Sequence, residues 1–100
     1  MTKDNISEIG IDKLERIYIK PEMKRFTLIY RTATAVHWDN GGFFLYSPKP
    51  KEWSYFDWYK HILGVVKTEC NCKLILTDKT NWSNIPIELR GKIEGLHLEP

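Results

Sequence analysis

Residues 26–47 read FTLIYRTATAVHWDNGGFFLYS, and this stretch decides the fold class. Asn40-Gly41 stands between two runs rich in aromatic and β-branched residues. Asn-Gly is the preferred pair of a two-residue type I′ hairpin loop, because both residues tolerate positive φ. A loop at those two residues predicts a register in which Asp39 faces Gly42, Trp38 faces Phe43, His37 faces Phe44 and Val36 faces Leu45. Strand side chains alternate between faces, so Phe26, Leu28, Tyr30, Val36, Trp38, Phe43 and Leu45 are expected on one side. Arg31, Ala35, His37, Phe44 and Tyr46 then share the other.

Working outward, Leu14–Lys20 reads as a first strand closed by Pro21. The second strand is expected from Phe26 to Asp39, with a bend at the small residues Thr32–Ala35, and the third from Gly42 to Tyr46. From Tyr55 the apolar period changes from 2 to 3.6. Tyr55, Phe56, Trp58, Tyr59, Ile62, Leu63, Val65, Val66 and Cys70 fall on half of a helical wheel. Ser54 suits the N-cap, and Asn71 suits the stop. Lys73–Thr77 reads as a short strand buried on both faces. A second helix is expected from Pro86 to about Glu94, with Gly95 just past its end. Residues 1–10, polar with isolated isoleucines, read as a loosely ordered arm before a single domain at 11–100.

The order is β-β-β-α-β-α, an α+β fold. An amphipathic helix lies across a mainly antiparallel sheet, and a short C-terminal helix follows. The sheet is mixed if the β-α-β connection into the last strand makes a parallel crossover.

Composition narrows the function classes. One hundred residues, 42% hydrophobic and 13% aromatic, suffice for one globular domain. Fifteen basic and thirteen acidic residues are interspersed, leaving a formal charge of +2. That pattern argues against a nucleic-acid binder; such a reading would have to use Lys49, Lys51, Lys60 and Lys67. No run resembles a signal peptide or a membrane span. Cys70 and Cys72, two positions apart, read as reduced thiols, and the expected compartment is the cytoplasm.

No strong catalytic motif is present, and the chain reads as non-enzymatic, with no cofactor and no metal. Cys70-x-Cys72 with His37 or His61 lacks the second cysteine pair of a usual structural zinc site. Asp57 and His61, at i and i+4 on the polar side of the helix, could orient an imidazole for base catalysis; they are equally an ordinary surface pair. Trp53-Ser54 and Trp82-Ser83 each resemble a hydrophobic residue stapled onto the helix start that follows.

The residues singled out for binding are His37, Phe44, Tyr46 and Arg31. Large aromatics on a face opposite the core mark a partner surface. The competing reading has the second helix covering that face. The expected partner is a second copy or another protein. The alternative is a small-molecule binder or minor enzyme with a pocket between sheet and helix near His37 and Tyr46. No motif assigns a family. Small size without a catalytic signature has the character of accessory proteins of mobile DNA, such as integron-cassette products or toxin-immunity proteins.

Overall fold

Thr2–Ile11 is not an arm but a strand, β1, in the interior of the sheet. The structure, a computed structural model, describes residues 2–31 and 35–98, with the Tyr30 side chain outside that description. A register irregularity between Ile6 and Glu8 explains why β1 escapes a periodicity reading. The extra residue reverses the alternation, so that Asp4 and Ile6 before it and Ile9 after it are all buried. Isoleucines spaced in this way match neither a period of 2 nor one of 3.6.

β1 runs antiparallel to β2 (Ile17–Pro21). β2 pairs with β4 (Phe44–Tyr46), and β4 pairs with β3 (His37–Asp39), both antiparallel. The other side of β1 is shared by two parallel partners. β5 (Cys72–Ile75) takes Thr2 to Asn5, and β6 (Asn81–Ser83) takes Glu8 to Gly10. Between them Thr80 donates its hydroxyl to the Ile6 carbonyl at 2.7 Å, satisfying an acceptor where the pairing changes over. The result is a mixed six-stranded sheet of order β3-β4-β2-β1-β5, with β6 beside β1. The α+β class and the mixed sheet agree with the sequence reading.

Several boundaries differ. The first expected strand starts late, because Asp12 folds residues 12–16 into a turn. Its carboxylate accepts the amides of Leu14 and Arg16 at 2.9 and 3.0 Å and pairs with the Arg16 guanidinium. The long second strand is absent over most of its length. Burial there falls on Phe26 and Ile29, three apart, while Leu28 is exposed, and Ile29–Arg31 is a 3₁₀ turn. The bend expected at Thr32–Ala35 falls largely on residues 32–34, outside the described residues. Lys73–Thr77 is not buried on both faces; Cys72 and Leu74 are buried and Lys73 is exposed, as at a sheet margin.

The hairpin loop is four residues, Asn40 to Phe43, in place of two. Asp39 closes it by accepting the Gly42 amide on its carboxylate at 2.6 Å and the Phe43 amide on its carbonyl at 2.8 Å. Phe43 takes the left-handed conformation, with φ 58°, and Arg25 lies over its ring. The true register pairs His37 with Tyr46, Trp38 with Leu45 and Asp39 with Phe44. The pairing has slid by two residues, an even number, so the faces assigned to Trp38, Leu45, His37, Phe44 and Tyr46 are unchanged.

Helix α1 (Tyr55–Glu69) opens with a capping box. Ser54 accepts the Asp57 amide, and Asp57 accepts the Ser54 amide, each at 3.1 Å. Trp53 staples onto the first turn, its ring 4.7 Å from that of Trp58. Tyr59, Ile62 and Val66 are buried in one core with the sheet residues Ile9, Ile19 and Leu45 and with Ile93, whereas Lys60, Gly64 and Lys67 are exposed. Helix α2 (Ile87–Leu98) runs beyond the expected stop at Gly95 and packs on α1 through Leu89 and Ile93. Trp82 is no helix staple: it lies in β6 opposite Ile9, under the Arg90 guanidinium. No helix among the described residues is long and apolar enough to cross a membrane.

Candidate functional site

Both helices stand on the same side of the sheet. The register carries Ile9, Ile19, Leu45 and Trp38 to that side, where Phe26 meets Trp38 edge-on. The opposite side is crossed by a line of strand partners: His37, Tyr46, Tyr18, Gly10 and Ser83. Phe44 is on the same side, two residues from Tyr46. The reading in which α2 covers this face is overturned by the placement of α2 beside α1.

The rings touch in sequence. Tyr18 and Phe44 have centroids 5.0 Å apart, Phe44 and Tyr46 5.9 Å, and Tyr46 and His37 5.2 Å. The Arg16 guanidinium lies 4.2 Å from the Tyr46 ring centroid, held there by its ion pair with Asp12 at 2.8 Å. Burial pushes the Asp12 carboxyl up, but its bonds to Arg16 outweigh this and hold it below the ordinary value. Tyr18 donates to Glu8 at 2.5 Å, and burial together with that acceptor raises its phenol above the ordinary range.

Two glycines let two of these rings approach the backbone closely. A Cβ on Gly10 would meet the Tyr18 ring at 2.4 Å, and one on Gly42 would meet the Phe44 ring at the same distance. Each of the two rings therefore rests against backbone where a side chain would exclude it. The face is aromatic in the middle and mixed in charge around it, with Arg16 and Lys20 set among Glu8, Asp12 and Asp39.

Of the four binding residues expected from the sequence, His37, Phe44 and Tyr46 lie together on this face. Arg31 ends the 3₁₀ turn Ile29–Arg31, which lies beside β3 and outside the strands themselves, and it is exposed. The guanidinium that lies over the Tyr46 ring is that of Arg16. Tyr18 and Arg16 escaped the sequence reading, although their signal was present. Residues 16, 18 and 20 alternate against the buried Ile17 and Ile19. His37 and Tyr46 point away from α1, so a pocket between sheet and helix at those two residues has no basis in the geometry.

The other candidates are placed as follows. Cys72 is buried in the core, and burial raises the thiol of the half-buried Cys70. No three metal-ligating side chains converge among the described residues. Asp57 serves the N-cap and lies 3.8 Å from Lys60, while His61 meets the rings of Trp53 and Trp58 edge-on at 5.5 and 5.7 Å.

No curated protein matches the chain. A solved structure, titled as coming from the mobile metagenome of the North West Arm Sewage Outfall and as the Integron Cassette Protein Hfx_Cass5, is 35% identical. The alignment covers 99% of each chain, with a TM-score of 0.50. The profile of the Hfx_Cass5 integron cassette proteins matches residues 4–80, which span α1 and all strands of the sheet except β6 and the first residues of β1. On both grounds the chain belongs to the Hfx_Cass5 family of integron cassette proteins.

Proposed function

We propose that this cassette protein is a non-enzymatic binding protein whose working surface is the outer face of the sheet, and that its partner there is a second copy. The observation that carries this is the unbroken contact of Tyr18, Phe44, Tyr46 and His37 on a side that no described helix covers. Flat rings withdraw much area from water at little cost in side-chain freedom, which is why aromatics dominate interface centres. The mixed charge around them suits self-pairing, since a two-fold axis sets each group against a copy of the same face. The same mixture speaks against nucleic acid, because Glu8, Asp12 and Asp39 would repel phosphates beside the rings.

Light scattering after size exclusion at high micromolar concentration tests it. The expected result is a dimer that Tyr46→Asp converts to monomer, with the circular dichroism of the fold retained. A monomeric wild type, or a Tyr46→Asp variant that remains dimeric, would overturn it.

A further inference from the structure

On the helical side a separate cleft of about 320 Å³ opens where α1, β5 and the last turn of α2 meet. Its size falls at the lower end of the range typical of small-ligand sites. The lining divides sharply by chemistry. Leu63, Leu74 and Leu96 supply an apolar wall, and Lys60, Lys67 and Lys73 stand around it. Among the described residues no carboxylate pairs with Lys67 or Lys73; Lys60 has Asp57 at 3.8 Å. The cleft therefore combines an apolar floor with an excess of cationic groups.

Two further details fit a ligand. Gly64, in the interior of α1, lies on the cleft, and a Cβ there would meet nothing within 4 Å. Glycine is among the poorest residues for a helix interior, and here it keeps the floor open. His97, also in the lining, is tied to the buried Tyr59 hydroxyl at 2.7 Å. Burial first, and the charge of Lys73 second, hold its imidazole below the ordinary value, towards the neutral form. The cationic character of the cleft at neutral pH thus comes from the lysines.

We propose that this cleft binds a small amphipathic carboxylate, its head group held by Lys67 and Lys73 and its apolar body laid along Leu63, Leu74 and Leu96 over Gly64. Apolar contact supplies the affinity, and the unpaired ammonium groups select an anion over a neutral or cationic chain. Because the floor is a glycine, branching or bulk in the ligand is accommodated where any other residue would project.

Monomeric decanoate is a suitable probe, titrated into the full chain by calorimetry and by amide NMR, with decanol as the uncharged control. The expected result is saturable binding of decanoate with shifts at Leu63, Gly64, Leu74 and Leu96, and weaker binding of decanol. Lys67→Ala with Lys73→Ala should weaken decanoate by about tenfold. Gly64→Leu fills the cleft and should abolish binding while keeping or raising the melting temperature, since the helix gains a better former. Equal binding of decanol and decanoate, unchanged binding by Gly64→Leu, or shifts confined to another surface would each overturn the proposal. So would association with vesicles of anionic phospholipid when monomeric decanoate fails to bind.

Discussion

The Tyr18 ring lies across the backbone of Gly10 on the neighbouring strand, so close that a Cβ added at Gly10 would be 2.3 Å from the Tyr18 hydroxyl oxygen. This pair fixes the centre of the outer face. With the glycine in place, the ring settles onto β1, and its hydroxyl reaches Glu8.

Gly10→Ala should therefore lift Tyr18 from the sheet and break its bond to Glu8. The cost is expected to be about 1–2 kcal/mol, from overpacking and the lost hydrogen bond. In a Tyr18→Ala background the same substitution should cost much less. Urea melts of the four proteins give the coupling directly. Equal losses in the two backgrounds would mean that the backbone, and not the ring, needs the glycine.

Tyr59 is fully buried in the core, and burial carries its phenol far above the ordinary value of 10.0. A group whose folded pKa exceeds its unfolded one contributes stability that is complete below the unfolded value and is lost as pH rises towards the folded one. Stability should accordingly be level through neutral pH and fall above about pH 10. Tyr59→Phe should lose about 1 kcal/mol at neutral pH with its bond to His97, and should flatten the alkaline decline. Urea midpoints from neutral pH upward check both effects, and an equally steep decline in the variant would assign it to other groups.

Helix α1 offers a direct contrast. Ile62→Ala removes a fully buried side chain and should cost about 2–5 kcal/mol. Lys60→Ala, two residues away on the exposed side, should lie within about 0.5 kcal/mol of wild type. Ser54→Ala removes the cap and should cost about 1 kcal/mol. Comparable midpoints for the Ile62 and Lys60 variants would contradict the packing described.

The two cysteines should separate in the same way. Cys72→Ser buries a hydroxyl in the core and is expected to cost about 1–3 kcal/mol. Cys70→Ser, at a half-buried position, should stay within about 1 kcal/mol. A chelator should leave the melting temperature of the wild type where it is. A zinc ion found stoichiometric with the protein and lost together with the fold would reverse this reading.

Legibility followed the range of the interactions. α1 could be read closely, from Ser54 to the buried Ile62 and Val66, because its cap, staple and amphipathic period all act between residues at most a few positions apart. The outer-face assignment of His37, Phe44 and Tyr46 was legible despite a wrong loop, since strand alternation depends on parity and the register slid by an even number. Arg31 was read into a strand because the alternation of Phe26, Leu28 and Tyr30 resembled one, while this segment buries Phe26 and Ile29 and ends in a 3₁₀ turn at Arg31.

The sequence by itself determined the α+β class, the first helix with its buried face, and the residues of β3 and β4 that point away from the core. Only the tertiary structure decided that Thr2–Ile11 is a central strand, that Tyr18 comes to lie beside Phe44 and Arg16 over Tyr46, and that α2 continues past Gly95 to form a cleft with Lys67 and Lys73. The physical reason is common to all three. β1 is held by backbone bonds to β2, β5 and β6, and its bulge erases the local periodicity. Tyr18 is placed by a glycine on another strand. The last turn of α2 is held by the Tyr59 hydroxyl, thirty-eight positions earlier in the chain.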